Sequence, residues 1–158
     1  MSELSEEPEN SVTKDLYAKP GISKGEQLVP FALPPGMGTA VPIAASPDRY
    51  CGTLTFGPGD GFGFHYHPRQ DEVVYIIEGT VEGWVGQDCS ILGPGDVMFA
   101  PAGTVHANFN VSQQPVKLFN ILSPLIPDVS EEWRMTETHG WEMVDVSSEQ
   151  PWASLRRI

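Results

Sequence analysis

Short apolar segments separated by turn residues fill the middle of this chain and restrict the folds that it can adopt. Their pattern predicts eight strands, at 50–56, 61–67, 72–77, 80–85, 89–92, 96–100, 104–110 and 116–122. Glycine, proline and aspartate lie between several of them, as in the Gly-Pro-Gly-Asp run at 57–60. Short strands at such regular intervals, with turn residues between them, predict an all-β sandwich or barrel.

The two ends of the chain differ in composition from this middle part. Residues 1–26 are acidic, poor in large apolar residues and without periodicity, which is typical of a flexible arm. We therefore expect a barrel over residues 27–126, whose first segments are short, extended and rich in proline. Residues 127–158 form a tail in which Ser130 begins and Gly140 ends a predicted short helix. This tail is expected to pack on the barrel because it carries three of the four tryptophans, Trp133, Trp141 and Trp152.

Composition disfavours several classes of function. A chain of 158 residues fits one domain, and 21 acidic against 9 basic residues give a net charge of −12. Such a surface repels nucleic acids and anionic membranes, so neither is an expected partner. The first residues lack the basic and apolar regions of a signal peptide, and a cytoplasmic location is expected. Cys51 and Cys89 are interpreted as small buried hydrophobic residues, although a disulfide between them is left open.

Three side chains of types that commonly bind metals lie within eight residues, namely His65, His67 and Glu72. Because successive residues of a strand point to opposite faces, His65 and His67 direct their rings to the same side. Glu72 opens the next predicted strand, so its carboxylate can return to meet both rings. A tight turn at 101–103 places His106 at the start of a later strand, where its ring can enter the same cavity.

A hydrogen-bonded core residue is the better interpretation of any one of these histidines alone, whereas the four side chains together predict a metal site. His139 lies outside this pattern in a polar run, and we expect it to be exposed or locally bonded. The glycines at 61 and 63 share the parity of His65 and His67. They are therefore expected to leave space for a substrate beside the metal.

These residues resemble the two sequence motifs of the cupin family. The first motif, G-x5-H-x-H-x4-E-x6-G, is matched at every fixed position by Gly59, His65, His67, Glu72 and Gly79. The second, G-x5-P-x-G-x2-H-x3-N, is matched likewise by Gly95, Pro101, Gly103, His106 and Asn110. The 15-residue spacer at 80–94 resembles those of small microbial single-domain cupins. The resemblance covers residues 50–123 and implies a jelly-roll barrel of six to eight strands.

The resemblance also implies one divalent transition metal per chain, bound by His65, His67, Glu72 and His106. Imidazole and carboxylate ligands suit Fe(II), our first expectation, as well as Mn, Ni, Co, Cu or Zn. A six-coordinate ion with four protein ligands keeps two positions for other molecules. We therefore expect a metal-dependent enzyme acting on a small organic substrate, with a dioxygenase favoured. A non-redox isomerase, lyase or decarboxylase and a non-catalytic binding module are the alternatives.

Either enzyme class needs a group that transfers protons near the metal. The candidates are Tyr50, Asn108 and Glu78, although a hairpin position explains Glu78 more simply. Inward apolar residues suit either an ordinary core or a pocket for an apolar substrate, and they comprise Val74, Ile76, Met98 and Phe109. The opposite strand faces predict an apolar outer surface, formed by Phe62, Phe64, Tyr66 and Tyr75. We expect a second copy to cover this surface in a homodimer, and the alternative is that the N-terminal arm or the C-terminal tail covers it within one chain.

Overall fold

Two antiparallel sheets make up the described part of the chain, which comprises residues 21–46, 48–124 and 142–143 of a computed structural model. A short 3-10 helix at Gly25–Gln27 precedes the first strand. The strands are β1 (Phe31–Ala32), β2 (Thr39–Ser46), β3 (Arg49–Phe56), β4 (Gly61–Tyr66), β5 (Asp71–Glu78), β6 (Val81–Val85), β7 (Asp88–Leu92), β8 (Val97–Ala100), β9 (His106–Phe109), β10 (Val116–Ser123) and β11 (Glu142–Met143).

The strand order is that of a jelly roll. One sheet, here called sheet A, has the order β1-β2-β3-β10-β5-β8, and the other, sheet B, has the order β11-β4-β9-β6-β7. All eight predicted strands are present as β3 to β10, with ends within two residues of those predicted. The eight strands β3 to β10 agree with the six to eight expected for the motif-bearing region, and the described residues form eleven strands in all. The extra strands lie outside the motif-bearing region, where β1, β2 and β11 extend the sheets at their edges.

The main core lies between the two sheets. Inward side chains of sheet A pack there with Val81 of sheet B, and the cluster comprises Ala40, Leu54, Phe56, Val74, Ile76, Val81, Met98, Val116 and Leu118. Phe62 and Val85 of sheet B pack against this cluster from the other side. Alternation along β3 and β10 explains why every second residue of these strands is buried. Burying this apolar area is the main force that holds the sheets together.

Parity along β4 does not hold as expected, because the pairing of β4 with β9 shifts between Phe62 and His65. This irregularity turns Phe62 inward, where its ring lies 5.9 Å from that of His65 and 5.8 Å from that of Phe56. Phe64 remains on the outer side of sheet B, yet it is buried in a second cluster with Trp84 and Ala107. An extra residue in one strand shifts all side chains beyond it to the other face.

The expected outer surface is therefore not one surface. Phe62 points inward, Phe64 is buried and Tyr66 is half-buried, whereas Tyr75 is 43% exposed on sheet A. The reason is that β4 and β5 belong to different sheets, although they are neighbours in sequence. The exposed apolar surface lies instead on sheet A, where Tyr75 and Ile77 of β5 are followed by Val97 and Phe99 of β8.

The two cysteines have separate positions. Cys51 is half-buried on β3 of sheet A, whereas Cys89 lies on β7 of sheet B, and both are free. Cys89 is exposed, so its interpretation as a buried residue was wrong. The reason is that β7 is the edge strand of sheet B, where four of five residues are exposed. No disulfide joins this pair.

Some predictions concern residues that lie outside the described ranges. These are most of the acidic arm at 1–26, the helix between Ser130 and Gly140, the packing of the three tail tryptophans and the environment of His139. Residues 21–26, the described end of the predicted arm, are exposed. Among the described residues, no helix is long and apolar enough to span a bilayer.

Candidate metal centre

The four predicted ligands come together between the two sheets. His65 lies on β4 and His106 opens β9, both in sheet B, whereas Glu72 lies on β5 of sheet A. His67 follows the end of β4 directly. All four side chains are buried, with at most 7% of any residue exposed, and one ligand atom of each lies within 4.8 Å of the others. The arrangement could hold one metal ion.

Backbone contacts join the segments that carry the two motifs. The loop between β4 and β5 is bound to the turn at 101–103 because Gly103 N donates to His67 O (2.8 Å) and Ala102 N donates to Asp71 Oδ1 (2.9 Å). Gly103 has φ +79°, a conformation that glycine adopts without steric cost. The proline-glycine turn therefore fixes the approach to His106 and holds the loop that contains His67.

Two of the histidines have their ring orientation set by backbone carbonyls. His65 Nδ1 donates to Gly63 O (2.7 Å), and His106 Nδ1 donates to Thr104 O (2.8 Å). A carbonyl oxygen can only accept, so Nδ1 carries a proton in both rings and Nε2 is the atom that faces the centre, able to bind a metal once any proton on it is displaced. Such support for the second nitrogen is typical of metal-binding histidines. The donor set therefore fits a divalent transition metal.

The two carboxylate oxygens of Glu72 have different neighbours. Oε2 is 2.7 Å from His106 Nε2 and 3.3 Å from His67 Nε2, so it lies among the imidazole nitrogens. Oε1 accepts a hydrogen bond from Asn120 Nδ2 at 3.2 Å. Charge-assisted hydrogen bonds of this kind offset the cost of burying a carboxylate.

The protonation of the centre follows from burial and from these hydrogen bonds. Burial, together with the neighbouring His106, lowers the pKa of His65 to about 3. Burial alone would raise the pKa of Glu72, but hydrogen bonds from His106 and His67 hold it well below its usual range. For His106, burial opposes protonation, yet the bond to Glu72 raises its pKa. Below the raised pKa of His106 the metal-free centre thus holds a proton between Glu72 and His106, which a cation would displace.

The three candidates for proton transfer differ in burial and in their position in the fold. Tyr50 is buried on the inner face of sheet A, with its hydroxyl over Gly52, and burial raises its pKa, with Cys51 contributing further. Asn108 is buried on β9, and its Oδ1 accepts a hydrogen bond from Phe62 N at 3.4 Å, beside the irregular pairing of β4. Glu78 is exposed, six residues along β5 from Glu72, or about 20 Å. Glu78 is therefore a hairpin residue.

Two expectations about space near the metal were wrong. A Cβ on Gly61 would meet Asn108 O and Phe109 Cα (2.8 Å), so this glycine lets β4 and β9 approach closely and leaves no room for substrate. Gly63 O accepts the hydrogen bond from His65 Nδ1, and the expected space at Gly63 stays a prediction. Phe109, expected to face inward, packs against Phe64 on the outer side of sheet B, with ring centroids 5.9 Å apart.

Two buried amides were not predicted. Asn120 is 6% exposed and contacts Glu72, and Gln70 is 1% exposed and donates through Nε2 to Pro124 O at 2.8 Å. The signal for Asn120 was present in the sequence, because it shares the parity of Leu118 and Leu122 and is the polar residue in that inward series. Gln70 gave no comparable signal, since the loop at 68–70 has no periodicity.

Parts of this chain are similar in sequence to known proteins. Residues 52–122 match the family model described as Cupin domain. A segment of 79 residues is 34% identical to the auxin-binding protein ABP19a of Prunus persica, covering 47% of this chain and 38% of that protein. Another of 70 residues is 37% identical to the quercetin 2,3-dioxygenase of Bacillus subtilis, covering 43% of this chain and 20% of that enzyme.

Among solved structures, KdgF from a Halomonas species superimposes with a TM-score of 0.65 at 22% identity, covering 70% of this chain and 99% of that one. At this level of identity the likeness concerns the fold. The matches with the two sequence relatives span less than two fifths of the length of either.

Proposed function

We propose that this chain, whose residues 52–122 match the Cupin domain, is a mononuclear metal-dependent enzyme of the cupin superfamily, a dioxygenase that uses Fe(II) and acts on a small organic substrate. The observation that carries the proposal is the buried cluster of three histidines and one glutamate, whose ligand atoms lie within 4.8 Å of one another. A purely structural site needs no open coordination position, whereas four protein ligands on a six-coordinate ion leave two.

The choice of iron and dioxygen has two sources of support. Imidazole and carboxylate donors without a thiolate suit Fe(II), although the other divalent first-row metals share this preference. Sequence identity of 37% to a quercetin 2,3-dioxygenase over 70 residues supports an oxygenase over a non-redox enzyme. When bound, the ion would supply Lewis acidity and electrons for the reaction of dioxygen with a coordinated substrate.

We assign tasks in that reaction to four residues of this chain. His65 and His106 present Nε2 to the ion because their Nδ1 atoms are held by backbone carbonyls. Glu72 contributes Oε2, which lies among the histidine nitrogens, and its negative charge offsets part of the charge of the cation. Tyr50 keeps its phenolic proton, because burial and the neighbouring Cys51 raise its pKa, so it would donate and not abstract a proton.

The reaction class can be decided by measuring turnover with and without dioxygen. Protein loaded separately with Fe(II), Mn(II), Ni(II) and Co(II) is offered diketones, flavonols, small thiols and keto acids. Oxygen uptake and product formation are recorded, and the Glu72→Gln protein serves as the control. The proposal expects oxygen-dependent turnover that the substitution abolishes. Equal turnover under anaerobic conditions would contradict it and favour an isomerase, lyase or decarboxylase.

A binding module is the second candidate, and the similarity to a protein named as auxin-binding favours it. Tight binding of a small ligand without turnover on any metal would support this alternative. Analysis of the ligand after incubation separates an enzyme from a binding module, because an enzyme converts its ligand to product and a binding module returns it unchanged.

We also propose that two copies of the chain associate through the outer face of sheet A. Two rows of paired residues cross five strands there, Val41–Thr53–Phe119–Tyr75–Val97 and Ala44–Cys51–Ile121–Val73–Phe99. Neither row contains a charged side chain, although the whole chain has a net charge of −12. Two copies repel each other wherever acidic surfaces meet, so this uncharged apolar face is the one that favours self-association.

Sedimentation of two matched variants tests this association. Phe99 is 53% exposed on the apolar face, whereas Ile91 is 57% exposed on sheet B. We expect the wild-type protein and Ile91→Lys to sediment as dimers at micromolar concentration and Phe99→Lys as a monomer. A monomeric wild-type protein, or a dimeric Phe99→Lys protein, would rule out this interface.

A further inference from the structure

Asn120 contacts the oxygen of Glu72 that does not face the histidines. Its Nδ2 donates to Glu72 Oε1 at 3.2 Å, while Oε2 lies 2.7 Å from His106 Nε2. We propose that Asn120 is a positioning residue that restricts Glu72 to coordination through one oxygen and so keeps a second coordination position open for substrate or dioxygen. This inference rests on the metal site of the proposed function.

The position of Asn120 is fixed by its backbone. It lies on β10, which is hydrogen-bonded to β3 on one side and to β5 on the other. Its paired neighbours are Gly52 and Val74, which carry no polar side chain, and the Tyr50 hydroxyl lies over Gly52. Glu72 lies on β5, so the donor Asn120 and the acceptor Glu72 belong to adjacent strands of one sheet. Rigid elements of this kind hold a site more precisely than loops do.

The orientation of the amide group is set by Glu72. Reversing the amide would bring Asn120 Oδ1 against the carboxylate, so the charge-assisted bond selects Nδ2 for that side. As a result, Oδ1 is buried without a hydrogen-bond partner in the structure. A buried acceptor in this state costs stability. An amide that helped only the fold would be better replaced by an apolar residue, so its contact with Glu72 explains its presence.

The contact between Asn120 and Glu72 affects the number of coordination positions that remain open on the metal ion. Three histidines and one oxygen of Glu72 occupy four positions of a six-coordinate ion, which leaves two. If Glu72 rotated and bound through both oxygens, the three histidines and Glu72 together would occupy five positions and leave one open. A chelating substrate, or a substrate together with dioxygen, needs two. Asn120 opposes this rotation because Oε1 would have to give up its hydrogen bond.

The test compares two probe ligands on Co(II)-loaded protein. Oxalate binds through two oxygens and azide through one nitrogen, so their affinities report the number of open positions. Asn120→Leu removes the amide donor and keeps a side chain of similar shape, whereas Asn120→Ala removes the donor and leaves a smaller side chain. Asn110→Leu is the matched control, because Asn110 is also buried, at 1% exposed, but donates to Phe56 O and Gln114 O.

We expect both Asn120 variants to bind oxalate about 10–100-fold more weakly relative to azide, the range typical for residues that support metal ligands. The visible Co(II) spectrum should change with them, whereas folded Asn110→Leu protein should keep the wild-type ratio and spectrum. An unchanged ratio and spectrum in both Asn120 variants would overturn the inference and leave the metal site intact. Failure of the wild-type protein to bind Co(II) would instead overturn the proposed function and, with it, this inference.

Discussion

Metal binding should stabilise the folded protein by an amount that the Glu72→Gln substitution removes. The four ligand atoms converge only in the fold, because Glu72 and His106 are 34 residues apart and belong to different sheets. A ligand at 100 times its Kd stabilises the native state by about 2.7 kcal/mol. For a domain of this size each kcal/mol raises Tm by about 2–4 °C, so the expected rise is about 5–11 °C.

The substitution keeps the size of the side chain and removes the charge that faces the histidines. If it weakens binding about 100-fold, the same metal concentration equals the new Kd and stabilises by only about 0.4 kcal/mol. The expected rise in Tm then falls to about 1–2 °C. Differential scanning calorimetry with Ni(II) or Co(II) measures both proteins. No rise in the wild-type protein, or an equal rise in Glu72→Gln, would refute the reasoning.

Two further predictions concern protons and packing. At pH 6.5 more than half of the metal-free molecules should hold the His106 proton, because the pKa of His106 is raised. Metal uptake should therefore release at least about half a proton per chain, and the number released should fall as pH rises through that pKa. Calorimetry in two buffers of different ionisation enthalpy measures it, and zero release would contradict the shared proton. Gly61→Ala should cost about 1–3 kcal/mol in urea unfolding, since its Cβ meets the backbone of Phe109, whereas Gly93→Ala, with open space, should not. Equal stability of the two variants would argue against the close strand approach.

Much of the fold and of the site was predictable because both depend on local patterns. Alternating apolar residues bounded by glycine and proline located β3 to β10 within two residues at each end. The spacing of His65, His67 and Glu72 and the turn before His106 indicated the ligand cluster, which the structure brings together between the sheets. These features depend on residues that are close in sequence, or on motif positions at which the residue type alone indicates a metal ligand or a turn.

What could not be predicted depends on pairing between distant strands. The irregular pairing between Phe62 and His65 has no marker in the sequence, and it reversed the expected side of Phe62 and the role of Gly61. The sheet to which each strand belongs decided which apolar side chains share a surface, so Tyr75 was grouped with the wrong neighbours. Asn120 gained its significance only when β10 was placed beside β5.

The metal content of the protein tests the central claim most directly. Protein purified without oxygen is analysed for all first-row metals beside His65→Ala and His106→Ala, which each remove one buried ligand. The predicted result is about one divalent transition metal ion per folded wild-type chain and none in either variant. Normal metal content in both variants, or a wild-type chain that takes up no metal on reconstitution, would contradict the assignment of this cluster as the metal centre.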